Sequence, residues 1–160
     1  MHTERSDFLP GRDKRSVLIV DDSHDDLRLA QHIVSATCPG ACVHGVASAD
    51  EMFSYLKGDH GYSDRVIYPY PKLILLDLSM PGMHGFEALK WLRSHPPHNA
   101  VPVVVLTVSG EMTLAQRSYE LGASSFLTKP LKSSDLKDTL AKFPDWPTAR
   151  IPQPLPATQA

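Results

Sequence analysis

Cysteine is scarce: Cys38 and Cys42 are the only two in 160 residues. They bracket Pro39-Gly40-Ala41, and no second pair or nearby histidine completes a four-ligand zinc set. They read as reduced, small apolar fillers beside a turn. No apolar run reaches the ~18 residues that a membrane-crossing helix requires. Neither sign of charge dominates, since 16 Lys and Arg stand against 18 Asp and Glu, and the basic residues form no block. That excludes the electrostatic footprint of a nucleic-acid binder. The opening MHTERSDFLPGRDKR carries charges where a signal peptide needs an apolar stretch. A cytoplasmic protein without a membrane partner is expected.

With 42% hydrophobic and 21% charged residues, the chain can build one core of ordinary size. Residues 1–15 are charged, contain Pro10-Gly11 and hold no regular period, which predicts a mobile arm. Residues 16–143 carry the pattern of a single domain. Residues 144–160 contain five prolines and predict an extended tail with no output domain behind it.

Within the domain a unit repeats. Val17-Leu18-Ile19-Val20 is a continuous apolar run, the composition of a strand covered on both faces, and it ends in Asp21-Asp22. Leu27, Ala30, Ile33 and Val34 then recur at helical spacing within 25–37. A second strand is predicted over 41–47, followed by a helix with Ser48 and Glu51 as a capping box and Gly58 as its stop. Strands over 72–77, 101–107 and 124–127 alternate with helices over 85–94, 111–121 and 131–143, the last capped by Ser133 or Ser134. The stretch 59–71, with three tyrosines and two prolines, is long for a connection and reads as an excursion over the surface. Five apolar strands alternating with five helices imply an α/β fold, a doubly wound parallel sheet covered by helices on both faces. Ligands of such sheets sit beyond the carboxyl ends of the strands.

At those ends stand Asp21 and Asp22, Asp77 and Thr107, with Lys129-Pro130 following the fifth strand. Like carboxylates gathered at a dry strand end repel unless a cation joins them. Oxygen-only donors suit Mg2+ or Mn2+. Singly, the acidic pair could merely cap a helix, and Lys-Pro could be only a turn. His24 and His84 read as solvated loop positions, and His32 as a helix surface residue.

The set Asp21-Asp22, Asp77 with Met80-Pro81-Gly82 and Gly85, Thr107, and Phe126 before Lys129-Pro130 resembles the receiver domain of two-component response regulators. The resemblance implies a flavodoxin-like five-stranded sheet of order 2-1-3-4-5. It implies that Asp77 accepts a phosphoryl group from a sensor histidine kinase. Mg2+ (or Mn2+) would be held by Asp22, Asp77 and the Ser79 backbone carbonyl, with Asp21 acting through a metal-bound water. Lys129 and Thr107 would bind the phosphoryl oxygens, and Thr107 and Phe126 would move together as a switch that biases the helix 4, strand 5 and helix 5 face. The family junction matching Lys129-Pro130 is usually cis. Val108 departs from the small residue common after the hydroxyl and is expected to narrow access to Asp77.

Two alternatives stay open: a haloacid dehalogenase-like phosphatase, which generally wants a second aspartate where this chain has Ser79, and an adaptor independent of phosphorylation. A flavin carrier is disfavoured because two aspartates would repel the cofactor phosphate. The 59–71 stretch and the tail resemble single-domain regulators paired with bacterial phytochrome kinases, which commonly form homodimers; Trp146 is a candidate anchor. Signalling is then expected through protein contact, as an acceptor and not an enzyme acting on other substrates.

Overall fold

The computed structural model describes residues 15–78, 85–108 and 112–143. Strand β1 (Ser16–Val20), helix α1 (His24–Thr37), β2 (Cys42–Val46), α2 (Ala49–Lys57), β3 (Leu73–Asp77), α3 (Gly85–Ser94), β4 (Val103–Val108), α4 (Met112–Glu120), β5 (Ser125–Lys129) and α5 (Ser133–Leu140) follow in order. All strand pairs are parallel and the sheet order is β2-β1-β3-β4-β5. The expected architecture and order are therefore observed.

Because side chains alternate along a strand, each strand feeds two cores. Val17, Ile19, Leu73, Leu75, Val104 and Leu106 face α1 and α5, meeting Leu27, Val34, Leu136 and Leu140. Leu18, Val20, Ile74, Leu76, Val103 and Val105 face the other way onto Met52 and Leu56 of α2 and Leu89 and Leu92 of α3. β1 and β3 are buried at every position, which is why they are apolar up to Asp21 and Asp77 except at Ser16, whose hydroxyl donates to Tyr70 O at 3.0 Å.

Several boundaries differ from expectation for physical reasons. β4 begins at Val103, because Pro102 has no N–H to give the ladder. β5 runs two residues further, with Thr128 opposite Thr107 and Lys129 opposite Val108. α5 is shorter, and its cap position is Lys132, without a side-chain cap; Ser133 is inside the helix and its hydroxyl bonds Thr37 Oγ1 at 3.0 Å. α1 includes His24, which is thus an exposed helical residue and not part of a loop. α2 is as read: the Ser48 hydroxyl accepts from Glu51 N at 3.1 Å, Glu51 Oε1 accepts from Ala47 N at 2.7 Å, and Gly58 ends the helix at φ 77°. The Lys129-Pro130 and Pro96-Pro97 bonds are both cis.

The 59–71 excursion is tied down by one guanidinium. Arg65 donates to the carbonyls of Tyr55 (2.9 Å), Leu56 (2.8 Å) and Tyr68 (3.1 Å), so the loop is anchored to the end of α2. The Tyr55 hydroxyl donates to Pro69 O at 2.9 Å, and Tyr62 and Tyr68 close over its ring. Cys38 and Cys42 remain thiols. Among the described residues no helix is long and apolar enough to cross a membrane. The expected tail at 144–160 and the arm at 1–15 lie outside the described residues, save Arg15, whose guanidinium donates to Pro39 O.

Candidate functional site

The carboxyl ends of β1, β3, β4 and β5 meet on one edge of the sheet. Asp21 continues the β1 ladder, its N–H donating to Val46 O at 3.1 Å, and its side chain is wholly buried. Its Oδ1 accepts from Ser23 N at 3.0 Å. Asp22, next along, is exposed. Asp77 closes β3 with 2% of its surface accessible, beside Leu106 of β4. Carboxylate oxygens of Asp21, Asp22 and Asp77 lie within 4.8 Å of one another.

Lys129, at the end of β5, reaches into this acidic group. Its Nζ is 2.9 Å from Asp21 Oδ2, 3.1 Å from Asp26 Oδ2 and 3.3 Å from Asp77 Oδ1. Burial works against the ammonium charge and is the largest single influence on it. The close contacts with Asp21 and Asp26 and the charge of Asp77 together outweigh burial, so the Lys129 pKa is raised and the residue is a fixed cation. Thr107 is buried at the same edge, its hydroxyl lying a long 3.5 Å from Val108 O.

The donor set fits a hard divalent cation. Asp21 Oδ2 is enclosed and has no hydrogen bond; the ammonium at 2.9 Å meets it as an ion pair, without hydrogen-bond alignment. One monovalent ammonium shared among three carboxylates leaves net negative charge in a largely dry site, and a carboxylate-only oxygen set suits Mg2+ or Mn2+.

The edge thus brings together Asp21, Asp22, Asp77, Thr107 and Lys129, as the sequence suggests. Ser79 and His84 lie outside the described residues. Phe126 is half-buried, edge-on to the exposed Tyr119 with ring centroids 5.8 Å apart. Val108 is 47% exposed. His32 is exposed on α1. Asp26 is not among the residues the sequence marks as a site; its signal is its place in the first turn of α1, three residues after the cap Ser23, where a short acid comes back toward the strand ends.

Residues 17–141 match the model of the response regulator receiver domain. Two-component response regulator ARR6 of Arabidopsis thaliana is 36% identical over 83% of this chain and 73% of its own length. Among solved structures, the bacteriophytochrome response regulator RtBRR superposes with TM-score 0.70 at 28% identity, covering 88% of this chain and 81% of its own. The Mn2+-bound form of response regulator Rcp1 does so with TM-score 0.66 at 28% identity, covering 88% and 99%. This chain spans 54% of the length of other curated relatives. With the strand-end constellation in place and the family model matched along most of its length, the chain belongs to the response regulator receiver domain family of two-component signalling proteins.

Proposed function

We propose that Asp77 is the phosphoacceptor of this receiver domain. The observation that carries the reading is the position of its carboxylate: buried at the end of β3, grouped with Asp21 and Asp22, and 3.3 Å from a fixed ammonium. The donor is a phosphohistidine on a sensor histidine kinase. An Asp77 oxygen attacks phosphorus as the P–N bond breaks, the electron pair leaves on the imidazole nitrogen, and an acyl phosphate remains. Asp21, Asp22 and Asp77, with the Ser79 carbonyl, would hold Mg2+ or Mn2+, which supplies positive charge against the phosphoryl oxygens. Lys129 binds one of those oxygens, and the Thr107 hydroxyl turns toward another.

The added group brings about -1.5 to -2 charges to the edge. Drawing Thr107 inward opens space beside β5 into which Phe126 rotates, and the exposed face around Tyr119 changes with it. Phe126 has no hydroxyl to anchor either rotamer, so packing alone selects between them. Similarity to a bacteriophytochrome response regulator favours a phytochrome-type kinase as partner, and the proposed assembly is a homodimer. The deciding experiment is incubation with acetyl phosphate and Mg2+ followed by intact mass. One phosphoryl group is expected on the native chain and none on Asp77→Asn; equal labelling of both would overturn the assignment.

A further inference from the structure

We propose that Asp26 is a positioning residue for Lys129, an extra carboxylate that holds the ammonium at the phosphorylation site. The inference rests on the reading of Asp77 as the phosphoacceptor.

Asp26 occupies the third position of α1, after the cap Ser23. In a capping box the acid at this position turns back to satisfy an N–H at the helix start, as Glu51 does for α2 through Ala47 N at 2.7 Å. In α1 only half of that arrangement is made locally: Asp26 N donates to Ser23 Oγ at 3.3 Å. The other half is supplied from the strand, because Ser23 N donates to Asp21 Oδ1 at 3.0 Å. That bond relieves the Asp26 carboxylate of a capping duty and lets it accept from Lys129 Nζ at 3.1 Å.

An ammonium has three N–H donors. Around Lys129 there are three carboxylates, those of Asp21, Asp26 and Asp77, at 2.9, 3.1 and 3.3 Å. Two of them belong to the acidic trio suited to a divalent cation, and Asp26 does not. With a cation held there, Asp21 and Asp77 would hold Lys129 less strongly. Asp26 is the partner whose charge stays committed to the ammonium. With its hydrogen bond made to Asp26, the ammonium stays 3.3 Å from Asp77 Oδ1, where a phosphoryl oxygen arrives. The recess around this contact is walled by Leu29, Leu106, Pro130 and Leu131, so the pair is less screened than one on an open surface.

Asp25 separates this role from a favourable charge at the helix N-terminus. It shares the first turn of α1 and is exposed, so Asp25→Asn removes the same charge from the same helix end. Two readouts are needed, one of them free of metal. The first is the rate of Asp77 labelling by acetyl phosphate with Mg2+, in which an Asp77 oxygen attacks phosphorus and acetate leaves. The second is the rate at which the Lys129 amine is acylated by an N-hydroxysuccinimide ester in EDTA, read by peptide mass. Asp26→Asn is expected to slow labelling about fivefold and to speed acylation of Lys129 by a similar factor. Asp25→Asn should change neither, and Asp26→Glu should restore both in part. In a Lys129→Ala background, Asp26→Asn should cause no further slowing. Native rates in Asp26→Asn, or equal slowing with and without Lys129, would overturn the proposal. Absence of labelling in the native chain would sink the phosphoacceptor reading instead, while the acylation arm would still decide whether Asp26 holds Lys129.

Discussion

Nζ of Lys129, the last residue of β5, stands 3.3 Å from Oδ1 of Asp77, the last residue of β3, reaching past the intervening strand β4. Without the ammonium, buried Asp21 and Asp77 face each other beside exposed Asp22 and half-exposed Asp26. Lys129→Ala in EDTA should therefore lose about 2 to 4 kcal/mol of stability, as when one partner of a buried ion pair is removed. Mg2+ should restore more stability to this variant than to the native chain, because the competing cation has gone. Urea unfolding with and without Mg2+ checks both; an unchanged midpoint in EDTA would mean that the contact contributes no net stability.

A backbone approach sets where α3 leaves the site. At Gly85 a Cβ would fall 2.6 Å from Leu78 Cα and 2.7 Å from Asp77 O, and backbone cannot swing aside as a side-chain tip can. Gly85→Ala should therefore push the start of α3 off the end of β3, destabilising by about 1 to 3 kcal/mol and disturbing Asp77. Denaturant unfolding alongside acetyl phosphate labelling tests this, and native values in both would contradict the close approach.

His98 gives a pH signature away from the site. Its ring is buried between Tyr70 and Trp91, stacked at 5.8 and 5.4 Å, with Nδ1 hydrogen-bonded to the Tyr70 hydroxyl. Burial first, then the nearby charges of His95, Arg65 and Lys57, hold its pKa below the ordinary histidine value. A group that binds its proton less readily when folded is protonated preferentially in the unfolded chain, so the folded state loses ground as pH falls. Stability should drop from about pH 7 downward through the usual histidine range, until the folded protein takes up the proton too. His98→Gln should flatten that part of the curve in urea titrations at several pH values. An identical slope in the variant would place the proton uptake elsewhere.

The fold was legible because buried parallel strands cannot hide. Val17–Val20 and Leu73–Leu76 are apolar throughout since both faces are covered, and the aspartates that end them mark where the sheet stops being dry. Polar ends were harder to read. Thr128 and Lys129 read as loop because nothing local shows that β4 offers them partners at Thr107 and Val108. The cap position of α5, Lys132, carries no local mark, because two adjacent serines offer equivalent cap signals and the Ser133 contact with Thr37 is a tertiary one. Asp26 carries no local mark for a similar reason: its partner, Lys129, is 103 residues away along the chain. The role of Arg65 in fastening the excursion depends on three backbone carbonyls, and carbonyls leave no mark in a sequence.

Thr107 separates acceptance of the phosphoryl group from its consequence. Its buried hydroxyl lies beside the acidic site without being among the charged groups. Thr107→Ala is expected to label at Asp77 within about fivefold of the native rate, since one hydrogen bond contributes roughly 1 kcal/mol. The phosphorylation-dependent change in the Phe126 and Tyr119 ring signals should be lost, as followed by NMR with and without acetyl phosphate. A full change in the variant would show that the hydroxyl does not couple the site to β5.

The most direct measurement is the location and chemistry of the bond itself. Borohydride reduces an aspartyl phosphate to homoserine, so treatment after incubation with acetyl phosphate and Mg2+, followed by peptide mass mapping, marks the acceptor permanently. The account predicts homoserine at position 77 alone, abolished by prior hydroxylamine or by EDTA. Homoserine at another aspartate, or phosphate on a serine, threonine or histidine, would contradict it.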